Sequence, residues 1–154
     1  MSAAENRGVP MGALRVLSAA VLAGVLAACS PAEDKGLPAP VPKGIALTVT
    51  GADGGKTVDV AVGSTFAVAL VGVPTAGYLW APTTTPAFLS AAGTAGGPTS
   101  KAQLEPGFAG GNHWEVFMMT ATGPGEGSLV FEQRRPWETD EPPSDTFTVV
   151  IRAK

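Results

Sequence analysis

The chain has one cysteine and one histidine in 154 residues. A disulfide within the chain is therefore excluded, and a zinc site of the usual Cys/His type lacks its ligands. Charge is sparse: 15% of residues, with 10 Lys and Arg against 13 Asp and Glu. Setting aside the first 28 residues leaves eight basic against twelve acidic side chains. That balance argues against nucleic acid as a partner, because phosphate binding needs a basic surface. No apolar run reaches the roughly 20 residues of a membrane-spanning helix. No long pattern of period 3.6 appears either, so a helical bundle is not expected.

Glycine and proline are abundant, with 20 Gly and 14 Pro. From residue 44 onward, short apolar runs lie between Gly, Pro, Asp and Thr. Strands are expected over residues 45–50, 56–62, 65–73, 78–80, 88–91, 101–105, 113–120, 128–133 and 146–152. Val58, Val60 and Val62 alternate with Thr57, Asp59 and Ala61, a two-residue period. Residues 65–73 are continuously apolar, as in a strand that is covered on both faces or central in its sheet. The spacing of turn signals predicts an all-β, immunoglobulin-like antiparallel β-sandwich of seven or eight strands without a disulfide. Phe66, Trp80, Phe117, Phe131 and Phe147 are the candidate core.

Ahead of this domain, residues 16–28 form an apolar run preceded by Arg15 and followed by Cys29. This length fits a signal-peptide core, and Met11 would give it a more usual length than Met1. The stretch Leu26-Ala27-Ala28-Cys29 resembles the bacterial lipobox. That resemblance implies cleavage before Cys29 and a diacylglyceryl group on its sulfur; an ordinary secretory signal is the alternative. Ser30 in the next position resembles lipoproteins sent to the outer membrane. The expected location is the cell envelope, lipid-anchored on the periplasmic face. Residues 29–43, with Pro31, Pro38, Pro40 and Pro42, have no periodic apolar pattern and read as an extended, disordered tether. The expected division is signal peptide 1–28, lipidated cysteine and tether 29–43, and β-sandwich 44–154.

Three segments between expected strands mix backbone-shaping residues with contact residues. The first is Pro74-Thr75-Ala76-Gly77-Tyr78: Pro74 fixes φ, and Gly77 can adopt angles closed to other residues. The second, Gly107-Phe108-Ala109-Gly110-Gly111, reads by itself as a Gly-rich hairpin loop. No Lys-Ser/Thr follows it, as a phosphate loop requires. The third, Arg135-Pro136-Trp137-Glu138, joins the two residue types most enriched at binding hot spots to a proline that limits the entropy lost on docking. The alternatives are an ordinary Pro–Gly turn for the first and a half-buried Trp137 with Arg135 stacked on it for the third. His113 stands alone, and no Gly-x-Ser-x-Gly elbow accompanies it, so no cofactor, metal or catalytic residue is expected.

In order and spacing these segments resemble the chagasin-type inhibitors of papain-like cysteine peptidases. The first is similar to that family's Asn-Pro-Thr-Thr-Gly-[Tyr/Phe] loop, with Val73 for Asn and Ala76 for the second Thr. The second is similar to its Gly-x-Gly-Gly loop, with Phe108 at the first glycine, and the third to its Arg-Pro-Trp loop. The resemblance implies a reversible, non-covalent inhibitor whose three loops wedge into the peptidase cleft. Pro74, Thr75, Ala76, Gly77 and Tyr78 would lie at the catalytic centre, Gly110 and Gly111 on the non-primed side, and Arg135, Pro136 and Trp137 on the primed side. A monomer is the expected form. An envelope-anchored binding module that inhibits no peptidase is the alternative, and a hydrolase is the more distant one.

Overall fold

The computed structural model describes residues 36–154. The signal peptide and Cys29 lie outside the described residues. Those residues form eight strands in two four-stranded sheets. The strands are β1 (Thr48–Thr50), β2 (Thr57–Val60), β3 (Thr65–Gly72), β4 (Leu79–Thr84), β5 (Leu89–Pro98), β6 (His113–Ala121), β7 (Gly125–Arg134) and β8 (Asp145–Ala153). One sheet has the order β1-β3-β6-β5 and the other β2-β8-β7-β4. The sandwich expected from the turn spacing is present, with one correction: it is not wholly antiparallel. The short edge strands β1 and β2 run parallel to β3 and β8. They enter from the opposite sheet or from the N-terminal segment, so no hairpin forces them antiparallel.

Alternate residues of both sheets fill the space between them. Phe66, Leu129, Phe131, Val149 and Ile151 are fully buried, and Trp80 and Phe147 nearly so. The Phe131 ring centroid lies 4.9 Å from that of Phe117 and 6.5 Å from that of Phe147. Burying a side chain of this size contributes about 1.5–3 kcal/mol. Such contacts replace the missing disulfide. Of the alternating valines, Val58 and Val60 join the core, while Val62 lies past the end of β2 and is exposed.

Strand β3 is covered on both faces from Phe66 to Leu70, one of the two arrangements its unbroken apolar run allows, while Val71 is exposed. Phe66, Val68 and Leu70 face the second sheet, while Ala67 and Ala69 face outward and are nonetheless fully buried. Their cover is part of the expected tether. Ala39, Val41 and Ile45 pack on Ala67, Ala69 and Val116, together with Ala95 and Trp114. The Leu37 amide donates to the Thr99 carbonyl (2.7 Å), and the Trp114 indole N–H donates to the Leu37 carbonyl (2.8 Å). At the other end of this arm the Ala46 amide donates to the Thr65 carbonyl. The expectation of a tether without pattern fails here: Leu37, Ala39 and Val41 do alternate, with Pro38, Pro40 and Pro42 between them. The prolines occupy the exposed positions of the arm, Pro40 beside Gly97 of β5, where a missing N–H costs nothing.

Residues 101–105 are not a strand. Lys101–Leu104 is a 3-10 turn, entered through Ser100 with Gln103 three residues on. Strand β5 is longer than expected because its second half is Ala and Gly, which carry no strand signal.

Candidate functional site

The strand register brings the three loops to one end of the sandwich. His113, at the start of β6, pairs with Gly72 at the end of β3 and with Pro98 at the end of β5. In the other sheet Leu79, at the start of β4, pairs with Arg134 at the end of β7, and Gln133 pairs with Asp145 at the start of β8. The first loop joins Gly72 to Leu79, so these two strand ends coincide. The first loop (73–78), the second (99–112) and the third (135–144) therefore all project from this end.

The first loop closes on its own backbone. Val73 exchanges hydrogen bonds with Tyr78 (3.1 and 3.2 Å), and its carbonyl also accepts from the Ala76 amide (3.0 Å). Pro74–Ala76 forms a 3-10 turn that ends at Gly77, whose φ of +83° is left-handed. Thr75 and Ala76 are exposed at the tip, while Pro74 and Tyr78 are half-buried at its flanks. Val73 replaces the Asn of the motif without loosening the loop, because its main chain makes the closure.

The third loop braces the first. Glu138 N–H donates to the Arg135 carbonyl (3.0 Å), closing a β-turn with Pro136 and Trp137 at its centre. Arg135 Nε donates to the Ala76 carbonyl (3.0 Å), its Nη1 donates to Glu138 Oε1 (3.0 Å), and its guanidinium carbon lies 4.6 Å from the Tyr78 ring centroid. Arg135 thus stacks on Tyr78 and not on Trp137. The Trp137 indole lies over Gly77, where a β-carbon would come within 2.9 Å of its Cζ2. The rest of the ring is open: Trp137 is 67% exposed. A large apolar ring left in water at a loop tip is surface available to a partner.

The second loop presents two consecutive left-handed glycines, Gly110 (φ +84°) and Gly111 (φ +93°), with Gly107 (φ +83°) before them. Leu104 and Phe108 are exposed on the same loop, at 64% and 47%.

Beneath the first loop sits a residue that the motif reading missed. Glu115, on β6, accepts the Trp80 amide through Oε2 (3.1 Å), while its Oε1 is buried with no partner. Its carboxylate occupies the space that a side chain at position 72 would need, which explains Gly72. Burial raises its pKa, and the Trp80 hydrogen bond opposes this in part. His113, two residues earlier on the same face, has a buried Nδ1 without a partner. Among the described residues no group of three or more potential metal ligands occurs.

A family model described as chagasin family peptidase inhibitor I42 matches residues 59–151, which include all three loops. No curated protein matches the chain. Among solved structures, the fold is similar to that of the cysteine protease inhibitor EhICP2 from Entamoeba histolytica. The two are 18% identical with a TM-score of 0.58, over 72% of this chain and 100% of that one. Amebosin, in its solution structure, is 28% identical (TM-score 0.48, 70% of this chain and 97% of that one). Leishmania mexicana ICP is 25% identical (TM-score 0.46, 66% of this chain and 90% of that one).

Proposed function

The chain belongs to the chagasin family of peptidase inhibitors and inhibits papain-like cysteine peptidases, and we propose that it does so reversibly, without a covalent bond, by inserting three loops into the active-site groove. It is an inhibitor and not an enzyme. The observation that carries the three-loop reading is the brace between the first and third loops. Arg135 and Trp137 hold Ala76 and Gly77 from the side, so the tip is shaped before it meets a partner. A pre-shaped loop loses little entropy on docking. Thr75 and Ala76 would then lie against the thiolate–imidazolium pair, with the Gly110–Gly111 backbone on one groove wall and Trp137 on the other. The left-handed Gly77 keeps the tip out of the extended form that a substrate adopts, so the peptidase binds it without cutting.

Export and acylation at Cys29 belong to the same proposal. Their support is the position of the chain's one cysteine after a 13-residue apolar run and Arg15. A periplasm-facing lipid anchor, with outer-membrane sorting through Ser30, follows from that reading; a monomer is the form that suits a wedge. Intact-mass analysis of the envelope-extracted protein tests the acylation: a mature chain beginning at Cys29 without acyl chains would refute it. Titration of papain with the folded protein tests the inhibition, which is expected at or below micromolar concentration, competitive with substrate and reversed on dilution; no inhibition by the folded protein would refute it.

A further inference from the structure

We infer that Gln103 is the positioning residue of the second loop, fixing the Gly110–Gly111 turn in the shape presented to the peptidase; this rests on the three-loop reading above. The second loop poses a physical problem that the other two do not. It runs for fourteen residues between β5 and β6, contains one 3-10 turn, and holds three glycines at positive φ. Glycine loses the most conformational freedom when ordered, so such a segment needs ties.

Most of the side-chain ties come from a single amide. Gln103 Oε1 accepts the backbone amides of Thr99 (2.7 Å) and Ser100 (2.9 Å), and the hydroxyls of both residues lie within 3.3 Å of it. Across the neck of the loop, Gln103 Nε2 donates to the Asn112 carbonyl (2.7 Å). Thr99 follows β5 and Asn112 precedes β6, so one planar group ties the outgoing chain to the returning one. The same amide lies under the glycine turn: a β-carbon on Gly111 would meet Nε2 at 2.8 Å and the Phe108 ring at 3.5 Å. Gly111 therefore lies between Gln103 and Phe108, and a side chain at position 111 would have to push the Gln103 amide aside and adopt a φ of +93°.

The position calls for glutamine specifically. The Thr99 and Ser100 side of the group needs an acceptor, and the Asn112 side needs a donor. Glutamate keeps the acceptor but turns an oxygen toward the Asn112 carbonyl; leucine offers neither. The neck has two further ties, the Thr99 hydroxyl on the Asn112 carbonyl (3.1 Å) and the Leu37 amide on the Thr99 carbonyl, so losing Gln103 loosens the loop without unfolding the sheet.

The test uses the full chain with Gln103→Leu and Gln103→Glu, papain as the probe enzyme, and Trp137→Ala as control. Gln103→Leu is expected to weaken inhibition roughly tenfold, the cost of ordering a loosened loop on binding, and to speed hydrogen exchange at the Thr99 and Ser100 amides. Gln103→Glu should keep those two amides protected yet inhibit weakly at neutral pH. Relative to wild type at the same pH, it should recover as the pH falls through the carboxylate range and its protonated oxygen can donate to Asn112. Undiminished inhibition by folded Gln103→Leu, or a Gln103→Glu deficit that does not change with pH, overturns the inference while a weak Trp137→Ala leaves the three-loop reading standing. If wild type fails to inhibit, the three-loop reading falls. The exchange rates then decide separately whether Gln103 orders the loop, and unchanged rates in Gln103→Leu refute it.

Discussion

Trp137 lies on Gly77, so the tip of one loop is the floor of another: the indole fills the space that any side chain at position 77 would take. Gly77→Ala therefore carries two penalties. A left-handed φ costs an alanine about 1–2 kcal/mol, and its β-carbon displaces the ring. Inhibition of papain is expected to fall much further than the thermal midpoint. Trp137→Ala removes a mostly exposed ring and the side support of Gly77 but leaves the backbone hydrogen bonds that close the first loop, so the midpoint should stay in place. Its inhibition constant should rise about thirtyfold, the equivalent of ~2 kcal/mol. Equal inhibition by Trp137→Ala and wild type would mean that the third loop does not touch the enzyme.

Arg135→Lys separates charge from shape. Lysine keeps the positive charge but lacks the fork that donates to Ala76 and Glu138 together while lying over Tyr78. Inhibition is expected to weaken roughly threefold to tenfold. Circular dichroism and melting should be unchanged. A lysine variant as potent as wild type would show that the brace is not needed.

Glu115 gives the stability a pH dependence of defined sign. Burial holds its folded pKa above the ordinary 4.5. Its contribution is therefore fully present below that value and is lost as pH rises through the raised folded pKa. Glutamine does not ionise and escapes this loss. Glu115→Gln is expected to be more stable than wild type at neutral pH, with the gap closing as the pH falls toward 4.5. Denaturant titrations at several pH values check this; a gap that widens on acidification would contradict it.

Val41 tests the arm. It packs over Ala67, Ala69 and Val116, so Val41→Asp sets a carboxylate on a dry face. A loss of about 1–3 kcal/mol is expected. A disordered tether would tolerate the change, and an unchanged urea midpoint would show that the arm does not stay docked.

Which parts of this molecule could be read from its residues follows from the kind of signal each carries. Strand β3 was legible because its apolar run is long, and the aromatic core because large rings have few places to go. The direction of β1 and β2 was not, since a two-residue period is the same for parallel and antiparallel neighbours. Residues 101–105 alternate polar and apolar like a strand, and the Ser100/Gln103 spacing that marks a helical turn was the signal passed over. The arm was missed for the opposite reason: its alternation is real but half of it is proline, which suggests a free polyproline spacer. In the site, the residues of all three loops stood out by type. The brace did not, because Arg135 meets Ala76 across 59 positions of sequence, a relationship that only the pairing of β4 with β7 creates.

The docked arm also decides where this inhibitor can be moored. Its first described residues, Gly36 and Leu37, meet the domain at Thr99, the neck of the second loop, and the chain then crosses the sheet toward the far pole before β1 turns back. Any leash joined ahead of Gly36 is hitched to the working pole of the molecule. Tension on it would draw the three tips toward the mooring instead of holding them out at arm's length.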